Sequence, residues 1–389
     1  MPSNPLRFAL APDSFKGTLS APEAAAAMAE GVRRAMPEAI CRELPMADGG
    51  EGTAALLAHA TGGERLRLRT EDPRGRPLEA ELARLGDGHT FALDTAAASG
   101  LTLLSPAERD PLTACSAGTG RLLHQALQLG ARTVVLGLGG SATVDGGKGL
   151  CEALGFRFLD HHGRPLAPGG GALSDLQRID DQHVPPLVWA IRGRIRIACD
   201  VWNPLLGPEG AAPVFAPQKG ADAAAVQRLA QGLARLAEVL RALPGPCGGT
   251  PEIATLPGTG AAGGIGATLS VLLGATLESG GELVFETAGY AEVLADCDLV
   301  IVGEGRMDAQ TAHGKAPAVV ARHARARGRP VLGVTGQPGP GLEALDGIDA
   351  WEACRPAGAS LPTPEQASTE LAAATARLVH RWHEEQGSL

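Results

Sequence analysis

The chain has 389 residues, 44% apolar and 20% charged, with a net charge of −9 and only 3% aromatics. That length suits two hydrophobic cores better than one, with a cleft between them for a small ligand. No apolar run approaches the ~20 residues of a membrane span, and an acidic, aromatic-poor chain lacks both the field and the stacking platform that nucleic acid requires.

The seven cysteines form no C-x-x-C pair, which fits reduced thiols rather than disulfides or structural zinc. Residues 1–14 lack a basic segment followed by an apolar stretch, because Pro12 breaks the run that begins at Phe8. A cytoplasmic protein is expected.

In chain order, residues 7–44 read as a β-α-β unit: a strand over 7–11, a loop over 12–19, a helix running to Met36 and a strand over 40–44. Ser20-Ala21-Pro22-Glu23 marks the helix start as a capping box with proline in the first turn. Both strands lead into polar loops, Asp13-Ser14-Phe15-Lys16 and Asp48-Gly49-Gly50-Glu51-Gly52. Ligands of open parallel sheets bind beyond the carboxyl ends of strands, so these loops are expected to face one site.

Residues 65–286 mix strands (91–94, 133–138, 195–199) with one long helix over 222–243, and 244–266, rich in glycine and proline, reads as a surface loop. The last hundred residues return to the first texture: strand 299–302, loop 303–311, helix 315–327, strand 330–334, loop 335–341 and a closing helix after Thr363-Pro364-Glu365. Distant segments commonly complete a parallel sheet. The expected organisation is one α/β domain from residues 1–64 with 287–389, and an inserted α/β domain from 65–286.

Of 34 basic residues only four are lysine, Lys16, Lys148, Lys219 and Lys315, and each has a glycine neighbour. A lysine placed at random would have one roughly one time in four. Lysine beside glycine suits phosphate, because glycine lets backbone N–H groups approach the anion while the ammonium neutralises it.

The Walker sequence is absent, as are H-E-x-x-H and G-x-S-x-G. A G-x-G-x-x-G runs from Gly258 through Gly260 to Gly263, followed by Gly264, but prolines precede it where a strand belongs. It reads as an anion loop or a plain turn, and it leaves a dehydrogenase as the alternative activity. Gly139, Gly140 and Ser141 follow an apolar strand and form a candidate phosphate cradle, with Asp145 as a candidate Mg²⁺ ligand. The pairs Asp48 with Glu51 and Glu304 with Asp308 suit a metal ligand plus a base, and Asp200 closes a strand as a further candidate base.

With these residues in hand, the chain resembles the bacterial glycerate kinase family. The likeness runs through residues 11–20 (APDSFKGTLS), 45–53 (PMADGGEGT), 139–147 (GGSATVDGG), 200–221, 258–266 (GTGAAGGIG) and 302–315 (VGEGRMDAQTAHGK). Val144, Trp202 and Ala216 depart from the family's usual residues, and Lys148 falls where the family varies.

The resemblance implies a flavodoxin-like parallel-sheet domain built from both chain ends and an inserted mixed α/β domain. It implies ATP as donor, Mg²⁺, and D-glycerate as acceptor, giving 2-phosphoglycerate in organic-acid catabolism, by a monomer or homodimer. Under that reading Lys16 and Lys219 neutralise charge, and Asp13 or Asp200 accepts the proton. Asp48, Asp145, Glu304 and Asp308 are candidate metal ligands. Ser14, Gly49, Gly50, Glu51, Gly139, Gly140, Ser141, Gly260, Gly263, Gly264 and Lys315 contact substrate or nucleotide, and Arg306 takes the substrate carboxylate.

Overall fold

The structure is a computed structural model that describes residues 5–243, 252–308, 311, 315–342 and 347–387. Most of the segment expected as a surface loop before Gly258, residues 244–251, lies outside the described residues, as do 309–310 of the loop expected over 303–311 and 312–314 just after it. The chain divides into two compact units, residues 1–48 with 279–389, and residues 49–278. The sequence reading sets the divide at 64/65 and 286/287. Helix Thr53–Thr61 belongs to the second unit because the buried carboxylate of Asp94, at the end of strand Thr90–Asp94, accepts from the N–H groups of Gly52 and Ala54 at 2.9 and 3.2 Å.

The first unit is built on a five-stranded, wholly parallel sheet. Its order is Ala350–Ala353, Val331–Pro338, Leu299–Met307, Arg7–Pro12, Ile40–Glu43. Counted along the chain within the unit this is the order 2-1-3-4-5 of flavodoxin-like sheets. Phe8, Leu10, Ile301, Leu332 and Val334 bury one face under helix Ala21–Ala35 and helix Pro364–Gly387. Those helices pack closely because Gly31 has no side chain; a Cβ there would lie 2.4 Å from the Ala372 carbonyl oxygen. The capping box forms as expected, with the Ser20 hydroxyl accepting from the Glu23 N–H and the Glu23 carboxylate accepting from the Ser20 N–H.

Two strands are longer than their sequence suggests. Residues 303–307 and 335–338, read as loops for their glycines and polar groups, continue the ladder, with Glu304 paired to Thr335 and Arg306 to Gln337. Pairing satisfies the backbone where the side chains alone look like loop. Glu304 and Arg306 are therefore held on a sheet.

The second unit carries a six-stranded mixed sheet in the order Thr276–Glu278, Ile195–Ala198, Thr133–Gly137, Thr90–Asp94, Pro77–Arg84, Glu64–Glu71. The first four strands are parallel and the last two antiparallel. Helix Ala223–Ala242 buries Leu229, Leu233, Leu236 and Leu240 in the large core of this unit, and Asp222 caps it by accepting from the Ala225 N–H at 2.8 Å.

Candidate active-site groups in the two units

In the first unit, Asp13 follows its strand directly and its N–H donates to the Gly303 carbonyl at 2.8 Å. That bond joins the two strands flanking the switch point of a 2-1-3-4-5 sheet, where doubly wound proteins place their ligands. A cavity of about 410 Å³ opens there, and Asp13, Ser14, Lys16, Asp48, Glu304, Arg306, Asp308 and Lys315 all line it.

The charges in this cavity are unevenly matched. Lys16 reaches Asp48 at 3.7 Å, Lys315 reaches Glu304 at 3.8 Å and Arg306 reaches Asp308 at 3.7 Å. Asp13 is buried, and burial first, then the neighbouring Asp48, push its carboxyl up to about 7, against a bond from the Ser14 N–H at 2.5 Å. Glu304 is raised as well, mainly by burial, although the Thr311 hydroxyl donates to it. A carboxyl near 7 is suited to exchange a proton at working pH.

No group of three or more His, Cys, Asp or Glu side chains among the described residues is arranged to hold a metal ion unaided. Mg²⁺ seldom needs one: it takes one or two carboxylates and completes its octahedron with phosphate oxygens and water. The crowding of Asp13, Asp48 and Glu304 that raises Asp13 is the kind of negative excess a divalent cation relieves, so the donor chemistry fits.

In the second unit, three segments converge on the carboxyl ends of parallel strands. Gly49 has a φ of +82°, and a Cβ there would lie 2.8 Å from that of Ala198; a Cβ on Gly139 would lie 2.6 Å from the Cα of Gly50. The Gly139 N–H donates to the Gly49 carbonyl at 3.3 Å. Only glycine lets the loops at 49–52 and 137–141 lie this close. Asp200 stands two residues beyond strand Ile195–Ala198.

Lys219 is buried behind this loop, donating to the Ser141 hydroxyl at 2.9 Å and the Thr143 carbonyl at 2.8 Å. Burial pushes its ammonium down to about 7 despite the nearby Asp145. Such a lysine supports the loop and its field from behind.

Three expectations change. Asp145 is fully buried, and its oxygens already accept from the Ser116 N–H and hydroxyl and from the N–H groups of Gly147 and Gly149, at 2.8–3.2 Å. It anchors the loop, with little capacity left for a metal. Lys148 is buried against Glu152 at 2.9 Å, an ordinary i,i+4 pair.

The third change concerns the G-x-G-x-x-G. A Cβ on Gly260 would lie 2.2 Å from the Pro204 carbonyl and one on Gly263 2.3 Å from the Thr143 carbonyl, and Gly264, at φ +98°, faces Leu205. These glycines serve close packing of the chain against itself. The dehydrogenase alternative loses its motif.

Sequence reasoning missed Arg355, Gln337 and Glu370, which also line the first unit's cavity. Arg355 holds Glu370 through two bonds of 2.6 Å. The available signal was positional: Arg355 lies just past a parallel strand, but that strand, Ala350–Ala353, is four residues long and not apolar enough to stand out.

A parallel sheet with a raised carboxyl and cationic groups at its switch point, and a glycine loop braced by a buried lysine, give an α/β protein the chemistry that a phosphate-handling enzyme needs. The sequence profile described as the glycerate kinase family matches residues 8–384. A glycerate kinase of Halalkalibacterium halodurans is 42% identical over 96% of this chain and 98% of its own length. The glycerate 2-kinase of Escherichia coli is 43% identical over 89% of each chain. A crystal structure from Salmonella typhimurium, provisionally named glycerate kinase 2, superposes with a TM-score of 0.87 at 39% identity, covering 99% of this chain and 100% of the other. The chain belongs to the glycerate kinase family, and it is a kinase.

Proposed function

We propose that the protein transfers the γ-phosphoryl group of ATP to the 2-hydroxyl of D-glycerate, releasing ADP and 2-phosphoglycerate, in the cytoplasm. The observation that carries this reading is the gathering of Asp13, Lys16, Asp48, Glu304, Arg306 and Asp308 in one cavity at the switch point of the parallel sheet. The naming of the Escherichia coli relative as a glycerate 2-kinase favours the 2-hydroxyl. Among the described residues no helix is long and apolar enough to cross a membrane.

In the reaction a bond forms between the glycerate 2-oxygen and the γ-phosphorus while the bond from that phosphorus to the β–γ bridging oxygen breaks. The hydroxyl proton goes to Asp13, whose raised carboxyl matches the task better than an ordinary aspartate; Asp200 is the other candidate. Lys16 supplies positive charge to the transferring group from its exposed position beside Asp48. Arg306, two-thirds exposed at the cavity wall, offers the planar fork that a substrate carboxylate accepts.

Ser141 with Gly139 and Gly140 cradles phosphate, and Lys219 positions the Ser141 hydroxyl. Asp48 and Asp308 would hold Mg²⁺, which when bound neutralises phosphate charge and orients the oxygens.

The test is a coupled assay of ADP release with D-glycerate, with the product resolved by NMR. No glycerate-dependent ADP release ends the kinase reading for this substrate, and 3-phosphoglycerate as product overturns the regiochemistry.

A further inference from the structure

The first unit's cavity is too large for its acceptor alone. A volume of about 410 Å³ is in the range that holds a drug-sized ligand, and a three-carbon acid fills only a part of it. The lining is also divided by chemistry. One part carries Asp13, Lys16 and Glu304, while another, formed by residues 359–367, presents Ala359, Leu361, Pro362 and Ala367.

Leu361 is 71% exposed, the most exposed large apolar side chain among the described residues. It rests beside the turn that carries Lys16, since a Cβ on Gly17 would lie 3.6 Å from its Cδ1. The charged and apolar parts of the cavity therefore adjoin.

The polar side chains around the apolar part are already committed. Gln337 donates to the Ala359 carbonyl at 2.7 Å and accepts from the Gly358 N–H at 3.1 Å. Arg355 spends its guanidinium on Glu370 and on the Ser360 carbonyl, at 2.6–2.9 Å. These bonds fix the segment that displays Leu361 and leave few side-chain groups to read the edge of a ligand.

We propose that Ala359, Leu361, Pro362 and Ala367 form the subsite for the base of the donor nucleotide, gripping it by its faces, an inference that rests on ATP being the donor proposed above. A flat heteroaromatic ring attached to phosphates is the occupant that needs an apolar slot adjoining a cationic one. Recognition by the faces alone discriminates weakly between purines, because specificity of several orders of magnitude requires paired hydrogen bonds to the edge.

Calorimetry on the whole chain tests this with ADP and inorganic tripolyphosphate as probes, in the wild type, Leu361→Ser and Leu361→Met. The exposure of Leu361 makes folding insensitive to either change. The expected result is ADP binding weakened about tenfold by Leu361→Ser and retained by Leu361→Met, with tripolyphosphate affinity within about twofold throughout. In turnover, the kcat/KM for GTP is expected within about tenfold of that for ATP.

Unchanged ADP affinity in Leu361→Ser, an equal loss of tripolyphosphate affinity, or no ADP binding to the wild type overturns the subsite. Base-dependent ADP binding without glycerate-dependent turnover keeps the subsite and removes D-glycerate as the acceptor, so the two readings fail separately.

Discussion

The two units hold their charged groups in opposite ways. In the parallel-sheet unit, Asp13, Asp48 and Glu304 crowd one another at the mouth of a cavity, and their cationic neighbours stand 3.7–3.8 Å away in loose pairs. In the mixed-sheet unit, Asp145, Asp94 and Lys219 are buried with short bonds to backbone and hydroxyl groups. Groups that must change charge or partner during a reaction need incomplete satisfaction. Groups that only shape a loop are best fully bonded. Under the proposed function the first unit would supply the groups that change charge, and the second a frame, with a braced glycine loop that would hold phosphate.

Asp13→Asn is expected to break this contrast most strongly, lowering kcat by about 10²–10⁴-fold with little change in KM, as measured by steady-state ADP release. In the wild type, kcat/KM is expected to fall as pH drops through about 7, because protonated Asp13 cannot accept the hydroxyl proton. A profile flat from pH 6 to 8 would shift the base assignment to Asp200.

Lys16→Ala follows, with kcat/KM reduced about 10²-fold, near 3 kcal/mol of transition-state stabilisation. Near-normal turnover in that variant removes Lys16 from the scheme.

The frame is tested by stability instead of rate. Asp94→Ala is expected to cost about 1–3 kcal/mol in urea unfolding, since it leaves the Gly52 and Ala54 N–H groups without their acceptor. The same frame also predicts a pH dependence. Lys219 has a folded value near 7 and an unfolded one near 10.5, so below pH 7 both states carry the proton and the cost of the buried charge is complete. Between those values the native state sheds its proton first, and that cost fades by up to about 1.4 kcal/mol per pH unit. Lys219→Met removes this rise, seen as the difference between wild-type and variant unfolding curves from pH 7 to 10. Parallel curves would mean that the ammonium is not desolvated.

Local signals in the sequence carry much of this. Ser20 and Glu23 announce their helix because capping is a short-range bond pattern, and Asp13 and Lys16 stand out because they follow an apolar strand. Strand order was accessible only through the family likeness, since nothing local in residues 299–302 says they pair with 8–11. The extension of that strand through Arg306 was hidden because its partner is thirty residues away.

Strands Glu64–Glu71 and Pro77–Arg84 escaped although their charged residues alternate with apolar ones at the period of a half-buried strand, because so many arginines and glutamates read as solvent-facing loop. For the buried groups the difficulty is general: sequence shows that Asp145 and Lys219 are charged, while only packing shows that one is saturated and the other desolvated. The glycines at 258–264 match a nucleotide motif letter for letter, yet what Gly260, Gly263 and Gly264 avoid is a carbonyl or side chain of their own chain.

The parallel sheet that draws two strands from residues 7–43 and three from 299–353 also imposes an order on synthesis. Residues 49–278 form a contiguous unit and can fold as soon as they leave the ribosome, whereas the first two strands must wait for nearly the whole chain. Until then helix Ala21–Ala35 lacks the cover it finally receives from Pro364–Gly387, and the buried faces of Met28 and Val32 stay open to water. A nascent chain halted before residue 299 therefore exposes an apolar helix face and the unpaired edge of strand Arg7–Pro12 together, the combination that chaperones engage.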